Sequence, residues 1–218
     1  MAIKVIITGA TGMVGEGVLL ECLQNENVSE VLMINRKHFD LSHAKLKKLL
    51  VPDFFQIEKF SEQLKGYDAC FYCAGVSSVG MDEVSYTKIT YDTTLHVAKV
   101  LVTLNSNMVF DFVTGASTDS SEKGKMMWAR VKGKTENDLM GLPFKGQYNF
   151  RPGFMKPVKG QKNIKRFFKP VIWILPYILP SSALLTLNQV GKAMIHSVLK
   201  GYAKQVLEIK DIQELAKD

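Results

Sequence analysis

Three glycines near the N-terminus fall where a phosphate-binding turn needs them. The run Thr8-Gly9-Ala10-Thr11-Gly12-Met13-Val14-Gly15 joins an apolar run, Ile3–Thr8, to a segment with helical pattern, Gly12–Asn25. The first glycine would permit a tight turn, the second would let the backbone approach a pyrophosphate, and the third would let the helix pack on the strand. The helix N-terminus would offer free amides to the phosphates. Strand, turn and helix in this order predict a bound dinucleotide, the alternative being a structural turn without ligand.

The residues that follow the second apolar run, Val31–Ile34, indicate which dinucleotide would bind. About 20 residues past the last glycine, a site selective for NAD places an acidic residue against the ribose 2′-hydroxyl. This sequence has Asn35-Arg36-Lys37 there, without a carboxylate. Arg36 could hold a 2′-phosphate through two parallel hydrogen bonds. We therefore expect NADP(H), with NAD(H) as the alternative, unless Arg36 and Lys37 are ordinary surface charges.

The cysteines and histidines indicate neither a redox centre nor a metal site. Cys73-Ala74-Gly75 follows an apolar run, where small residues would let the backbone pass close to a dinucleotide. Cys70 and Cys73 have a redox-like spacing, but positions three apart in a strand point to opposite faces, so buried inert thiols are expected. An odd cysteine count without a signal peptide favours a reducing, cytoplasmic location. The four histidines, His38, His43, His96 and His196, show no ligand spacing, and no metal is predicted.

Alternating strands and helices would position these residues. The predicted strands are Ile3–Thr8, Val31–Ile34, Phe54–Ile57, Ala69–Cys73, Met108–Val113 and Tyr148–Phe150, and the predicted helices are Gly12–Asn25, Asp82–Leu104 and Glu122–Met140. Such alternation predicts an α/β fold with a doubly wound, Rossmann-type parallel sheet and right-handed crossovers. We expect one domain over residues 1–218, with a core over 1–155 and a short irregular C-terminal extension over 156–218 that contains a helix, Leu187–Leu199.

The charge distribution bears on possible partners. The 218 residues carry a net charge of +7, so the surface should attract anions. No nucleic-acid-binding module is recognisable, and no nucleic-acid partner is expected. The apolar stretch Phe167–Pro180 is too short and too rich in proline for a transmembrane segment. Six cations precede or enter it and could touch an anionic membrane surface, although a core-covering or dimer-forming segment is the main interpretation: Lys156, Lys159, Lys162, Lys165, Arg166 and Lys169. We expect a monomer or a homodimer.

The glycine run resembles that of the short-chain dehydrogenase/reductase superfamily, in its extended and atypical branches. The resemblance continues through Gly75, the segment Thr114–Ser121, Lys132 and Arg151-Pro152-Gly153, and covers about the first 155 residues. The run from Trp128 to Gly133, followed by Glu136, is similar to a narrower atypical group. That group includes the Tat-interacting-protein type of NADP-binding oxidoreductase and bacterial proteins described as sugar-nucleotide epimerases or dehydratases.

The resemblance implies a tyrosine and a lysine one helical turn apart, and a serine after the fifth strand. Lys132 occupies the lysine position, but Trp128 occupies that of the tyrosine, and an indole cannot exchange a proton near neutral pH. Ser117 is the candidate serine, with Thr114, Ser120 and Ser121 as rivals, and a phenol could come from Tyr86 or Tyr91. The expected cofactor-binding residues are Gly9, Thr11, Gly12, Met13, Val14, Gly15, Asn35, Arg36, Lys37, Cys73, Ala74, Gly75, Thr114, Lys132, Pro152 and Gly153.

Two functions are compatible with these residues. The first is an NADP(H)-binding oxidoreductase or epimerase-like enzyme that acts on a small carbonyl or hydroxyl substrate without the usual tyrosine. The retained lysine and the hydroxyl cluster favour it. The second is a non-catalytic NADP(H)-binding regulator or redox sensor that acts through a protein partner, which the loss of the tyrosine favours.

Overall fold

Seven parallel strands form the central sheet of the computed structural model, which describes residues 2–163, 180 and 183–217. The strands are β1 (Ile3–Thr8), β2 (Val28–Asn35), β3 (Leu46–Leu50), β4 (Ala69–Tyr72), β5 (Val109–Val113), β6 (Gly146–Phe150) and β9 (Val206–Leu207). Their spatial order is β3-β2-β1-β4-β5-β6-β9. A separate parallel pair consists of β7 (Phe154–Lys156) and β8 (Leu184–Thr186). The order reverses between β1 and β4, which confirms the predicted doubly wound α/β fold and places a ligand crevice there.

Helices cover both faces of the sheet. They are α1 (Met13–Gln24), α2 (Ser61–Leu64), α3 (Glu83–Thr87), α4 (Thr93–Leu104), α5 (Met127–Met140), α6 (Leu187–Lys200) and α7 (Ile209–Leu215). Val5 and Ile7 in β1 belong to one apolar core with residues of α1 and α6, whereas Ile6 belongs to the opposite core with residues of α4. Strands buried on both faces in this way explain why the sequence shows continuous apolar runs.

The predicted third strand, Phe54–Ile57, is wrong, because this segment is a 3₁₀ helix, Phe54–Phe60. The carboxylate of Asp53 accepts a hydrogen bond from the Phe55 amide at 3.0 Å and so caps the turn. The third strand is instead Leu46–Leu50, within a lysine-rich stretch, at the edge of the sheet. An edge strand is only partly covered, so its lysines reach solvent and its sequence lacks an apolar run.

Two helices also differ from the prediction, one in its start and one in its continuity. The helix expected over Glu122–Met140 begins at Met127, because Met126 before it is extended. Glu122 also lies outside the helix, with a φ of +60°, a left-handed conformation that an α-helix cannot contain. The helix expected over Asp82–Leu104 is interrupted by a π-helical turn, Lys88–Asp92, between α3 and α4. Such turns insert one residue into a helix and often lie near functional sites.

The C-terminal extension packs directly on the N-terminal helix. The predicted helix Leu187–Leu199 is confirmed as α6, and α1 crosses it in close contact at two glycines. A Cβ atom on Gly17 would lie 2.6 Å from Cβ of Leu187, and one on Gly191 would lie 2.7 Å from Cβ of Glu21. The basic and apolar residues 164–179 lie outside the described residues. Among those described, no helix is long and apolar enough to cross a bilayer.

Candidate cofactor and active site

The glycine turn follows β1 at the carboxyl edge of the sheet. Gly9 has a φ of +71°, and a Cβ atom there would lie 2.5 Å from the Cys73 carbonyl carbon. A Cβ on Gly15 would lie 2.2 Å from the Gly9 oxygen, so only glycine lets the helix start this close to the turn. A Cβ on Gly12 would meet only the Gly9 oxygen, at 3.4 Å. The protein itself therefore leaves room above Gly12, as an approaching ligand requires.

The first turn of α1 has amides available for an anion. Gly12 is the N-cap residue and has no side chain to bind them. The amides of Met13, Val14 and Gly15 have no acceptor within the helix, because an α-helix leaves its first amides unpaired. Thr11 is exposed beside them. The free amides and the positive end of the helix dipole form an anion site.

Asn35 ends β2 with an unpaired amide group. Its side chain is 7% exposed, and its Nδ2 has no hydrogen-bond partner among the described residues. The backbone oxygen accepts a hydrogen bond from the Val51 amide at 2.9 Å, which fixes the residue at the end of the strand. Arg36 and Lys37 follow and are both exposed. A buried donor without an acceptor, followed by two free cations, fits a polyanionic ligand at this end of the sheet.

Cys73-Ala74-Gly75 leaves β4 beside the glycine turn. The Ala74 amide donates to Oγ1 of Thr8 at 3.3 Å, and a Cβ on Gly75 would meet nothing within 4 Å. Cys70 and Cys73 pack into opposite apolar cores, and burial raises the pKa of both thiols. The two cysteines are therefore protonated and lie on different faces of the sheet, which excludes a disulfide between them.

Lys132 reaches from α5 to the end of β5. Its Nζ donates to the backbone oxygen of Thr114 at 2.8 Å. Burial lowers the pKa of Lys132 to about 8, although the negative charge of Glu136 acts in the opposite direction. The Thr114 hydroxyl donates to Glu136 Oε1 at 2.6 Å, so it is already engaged. The result is a half-buried amine, close to its titration point at neutral pH, at the carboxyl edge of the sheet.

A buried ion pair between Glu136 and Arg151 lies beside the Thr114 hydroxyl. Glu136 is fully buried, and Nε of Arg151 lies 3.1 Å from each of its carboxylate oxygens, while Nη2 of Arg151 contacts Oε2 as well. Arg151 also reaches Ser120 Oγ at 2.5 Å and Glu208 at 3.3 Å. This arginine thereby joins α5, the loop after β5 and the start of α7. The pair was not predicted, although both residues stand in runs that the sequence singles out.

The loop after β5 lies against the first turns of α5. The Asp119 amide donates to the Ala129 oxygen at 3.1 Å, and a Cβ on Gly133 would lie 1.8 Å from the Asp119 oxygen. Ser117 in this loop is exposed, has a φ of +69°, and its hydroxyl has no partner among the described residues. Ser117 therefore combines a strained backbone conformation with a hydroxyl that is free to contact a ligand.

The rival hydroxyl groups are occupied by structural hydrogen bonds. Ser121 donates to Asp119 at 2.6 Å, and Ser120 accepts from Arg151. Of the two candidate phenols, Tyr86 is 1% exposed, and Tyr91 donates to Asp138 at 2.5 Å. Neither phenol is free to replace the missing tyrosine.

The remaining candidate residues are Trp128 on α5 and Pro152-Gly153 after β6. Trp128 is half-buried on α5, one turn before Lys132. The Pro152 oxygen accepts from the Ala116 amide at 3.0 Å, and a Cβ on Gly153 would lie 2.8 Å from Cδ1 of Ile209. Pro152 therefore holds the loop after β5, and Gly153 packs on α7. The described part of the chain contains no group of three or more His, Cys, Asp or Glu residues placed to bind a metal ion.

Comparison with known proteins decides the family. Residues 5–134, more than half of the chain, match the model of the NAD dependent epimerase/dehydratase family. The chain belongs to this family. The predicted membership of the atypical branch of the short-chain dehydrogenase/reductase superfamily is thereby confirmed. Family membership also supports the expected nicotinamide dinucleotide.

Relatives and solved structures agree with this assignment. Protein HTATIP2 of Rattus norvegicus is 25% identical over 99% of this chain and 90% of its own length. Protein FMP52, mitochondrial, of Debaryomyces hansenii is 26% identical over 67% of this chain and 64% of its own. Because a relative is described as mitochondrial, the cytoplasmic location of this chain stays a prediction.

Two solved structures share the fold at low identity. A UDP-N-acetylglucosamine 4-epimerase from Methanobrevibacter ruminantium M1 is 16% identical, with a TM-score of 0.67 over 94% of this chain and 76% of that one. A short chain dehydrogenase from Burkholderia cenocepacia J2315, solved in complex with NADP, is 12% identical, with a TM-score of 0.64 over 99% and 91% of the two chains. At these identities the likeness establishes the fold alone.

Proposed function

We propose that this protein binds NADP(H) and catalyses hydride transfer between it and a small carbonyl or hydroxyl compound. The observation that carries the proposal is Lys132, held at 2.8 Å from the Thr114 oxygen at the edge where the family binds its dinucleotide. Lys132 forms no ion pair among the described residues, so only the hydrogen bond to Thr114 and the nearby charge of Glu136 offset the cost of burying its amine. Its retention is understandable if it contacts the cofactor ribose and the reacting atoms.

The preference for NADP(H) over NAD(H) rests on the end of β2. Asn35 supplies a buried amide without a partner, and Arg36 and Lys37 supply exposed cations in place of the acid that selects NAD. We expect NADPH to bind more tightly than NADH. Titration calorimetry should show that Arg36→Ala removes most of the difference, whereas Lys99→Ala, which removes an exposed cation on α4, leaves it unchanged. Equal affinities of the parent protein for NADPH and NADH would refute the preference.

Proton transfer in this protein cannot use the usual tyrosine, because Trp128 stands in its position. The bound nicotinamide supplies or accepts the hydride. We assign the matching proton to Lys132, whose ammonium group would pass it to the substrate oxygen as the carbonyl becomes an alcohol. The neutral amine that remains then takes a proton from water. Ser117 would hold the substrate oxygen by a hydrogen bond, and Trp128 would line the space beside it.

The activity can be tested by NADPH oxidation with a panel of aldehydes and ketones. Lys132→Arg keeps a positive charge for the cofactor but cannot release its proton, so it should bind NADPH and lose turnover. Trp128→Tyr should raise turnover by restoring the phenol one turn before the lysine. Turnover by Lys132→Arg equal to that of the parent would exclude Lys132 as the acid.

A second candidate function is a non-catalytic NADP(H)-binding regulator that acts through a protein partner. The observation in its favour is that Trp128 replaces the tyrosine while Tyr86 is buried and Tyr91 donates to Asp138. Tight NADPH binding without turnover of any compound in the panel would favour this function over the first.

A further inference from the structure

A buried carboxylate in the first turn of α1 binds a segment far along the chain. Glu16 is 4% exposed although it lies one residue after the glycine turn. Its Oε1 accepts a hydrogen bond from the Lys162 amide and its Oε2 accepts one from the Asn163 amide, both at 2.8 Å. These partners are 146 and 147 residues away in sequence. Both oxygens of the carboxylate are therefore used to hold one remote segment.

Gln161 fastens the same segment to the same turn. Its Nε2 donates to the Met13 backbone oxygen at 2.8 Å, and its Oε1 accepts from the Val158 amide at 2.8 Å. Four hydrogen bonds thus shape residues 158–163 and dock them on α1; we call these residues the strap. The strap carries two exposed cations, Lys159 and Lys162, to the helix end that has free amides.

The charge of Glu16 explains why the strap and an anionic ligand should depend on each other. A carboxylate beside the free amides of α1 would repel an incoming diphosphate if it stayed bare. When the strap is docked, two amide dipoles point at the carboxylate and reduce this repulsion, and two lysines add positive charge nearby. A bound diphosphate would in turn attract those lysines and hold the strap in place.

We propose that the strap is part of the dinucleotide site, that Glu16 and Gln161 are the residues that position it, and that strap docking and diphosphate binding are thermodynamically coupled. The inference rests on the proposed function, since it presupposes that the glycine turn binds a dinucleotide. Glu16 acts here through the strap and touches no reacting atom.

The first test is the affinity for NADPH, measured by titration calorimetry. Glu16→Gln keeps the shape of the side chain but can accept a hydrogen bond from only one of the two amides. Gln161→Ala removes a hydrogen bond between the strap and α1 without changing a residue of α1. We expect Gln161→Ala to weaken NADPH binding about tenfold, as the loss of one such hydrogen bond would do. Glu16→Gln should weaken it less, because the loss of its charge also removes the repulsion of the diphosphate. ADP, which carries the diphosphate without the nicotinamide, should lose affinity to the same extent. The matched control Glu26→Gln, an exposed carboxylate just past the other end of α1, should bind both ligands as the parent does.

The second test is cleavage by trypsin after Lys159 and Lys162, followed by mass spectrometry. Saturating NADPH should protect both sites in the parent protein and protect them poorly in Glu16→Gln and Gln161→Ala. Thermal denaturation identifies a variant that has simply unfolded, and Gln161→Ala, a change in a surface loop, keeps the test valid if Glu16→Gln does not fold.

The outcomes separate the two proposals. If the parent binds neither NADPH nor ADP, the proposed function fails and the strap with it. If the parent binds NADPH while both variants bind it equally well, and cleavage ignores the ligand, the strap proposal alone is overturned. A loss of affinity for NADPH but not for ADP would place the strap against the nicotinamide half and would also overturn it.

Discussion

Asp111 should be protonated in the folded protein, and replacing it by asparagine should stabilise the fold at neutral pH. The residue lies in the middle of β5 and is fully buried. Its Oδ2 lies 2.8 Å from Oγ of Ser197, which also lies 2.7 Å from the Met194 carbonyl oxygen. A hydroxyl has one hydrogen, so it can serve both neighbours only if the carboxyl group donates and the carbonyl accepts. Burial likewise raises the pKa of Asp111 well above its usual value.

The magnitude follows from linkage between proton binding and folding. The unfolded chain releases this proton near pH 3.9, whereas the folded protein retains it, so stability falls as the pH rises above that point. The loss is about 1.4 kcal/mol per pH unit until the folded-state pKa is reached, and therefore at most about 4 kcal/mol at pH 7. Asparagine has the same shape, donates to Ser197 through its amide, and does not titrate. Asp111→Asn should thus be more stable than the parent by up to about 4 kcal/mol at pH 7 and by almost nothing at pH 4.

Urea denaturation at a series of pH values between 4 and 7 measures the difference in the free energy of unfolding between parent and variant. The other titrating groups contribute equally to both proteins and cancel in this difference. Asp92→Asn, an exposed carboxylate on the π-helical turn, is the matched control and should show no pH-dependent difference. A variant that is less stable than the parent at pH 7, or a difference independent of pH, would show that Asp111 is ionised and matched by the surrounding structure.

Other expected outcomes concern the turn and the site. Gly15→Ala places a methyl group 2.2 Å from a backbone oxygen and should lower the melting temperature and abolish NADPH binding, whereas Gly12→Ala, at 3.4 Å, should fold as the parent does and lose only affinity. Arg151→Met leaves the charge of Glu136 buried and unpaired and should cost about 3–5 kcal/mol in urea denaturation. Reduction of a carbonyl substrate should slow as the pH rises through the pKa of Lys132, about 8, because the ammonium form supplies the proton, and the reverse oxidation should accelerate. A flat pH–rate profile in both directions would contradict that assignment.

The parts of the fold that local sequence determines were predicted well. β1 has the predicted bounds, Ile3–Thr8, and α1 begins at the glycine turn, because strand, turn and helix are neighbours in sequence and each needs particular residue types. The helix α6 was found from its apolar spacing alone. Edge strand β3 was missed because much of it is exposed to solvent. Its lysines interrupt the apolar run by which the buried strands were recognised.

The parts that depend on distant contacts could not be predicted. The candidate serine Ser117 was named, but its left-handed backbone and free hydroxyl depend on how the loop docks against α5. The pairing of Glu136 with Arg151, and of Glu16 with the strap, joins residues from separate elements, so no single segment signals it. For Glu16, a charged residue in an otherwise apolar helix face was the available hint.

The contact of α1 with α6 at Gly17 and Gly191 also has a consequence for biosynthesis. The ribosome makes α1 more than 160 residues before it makes α6, whose surface buries one side of α1. During that interval an apolar helix face stays uncovered and is a natural binding site for a chaperone. The helix that begins at the glycine turn can therefore reach its final packing only after α6 has been synthesised.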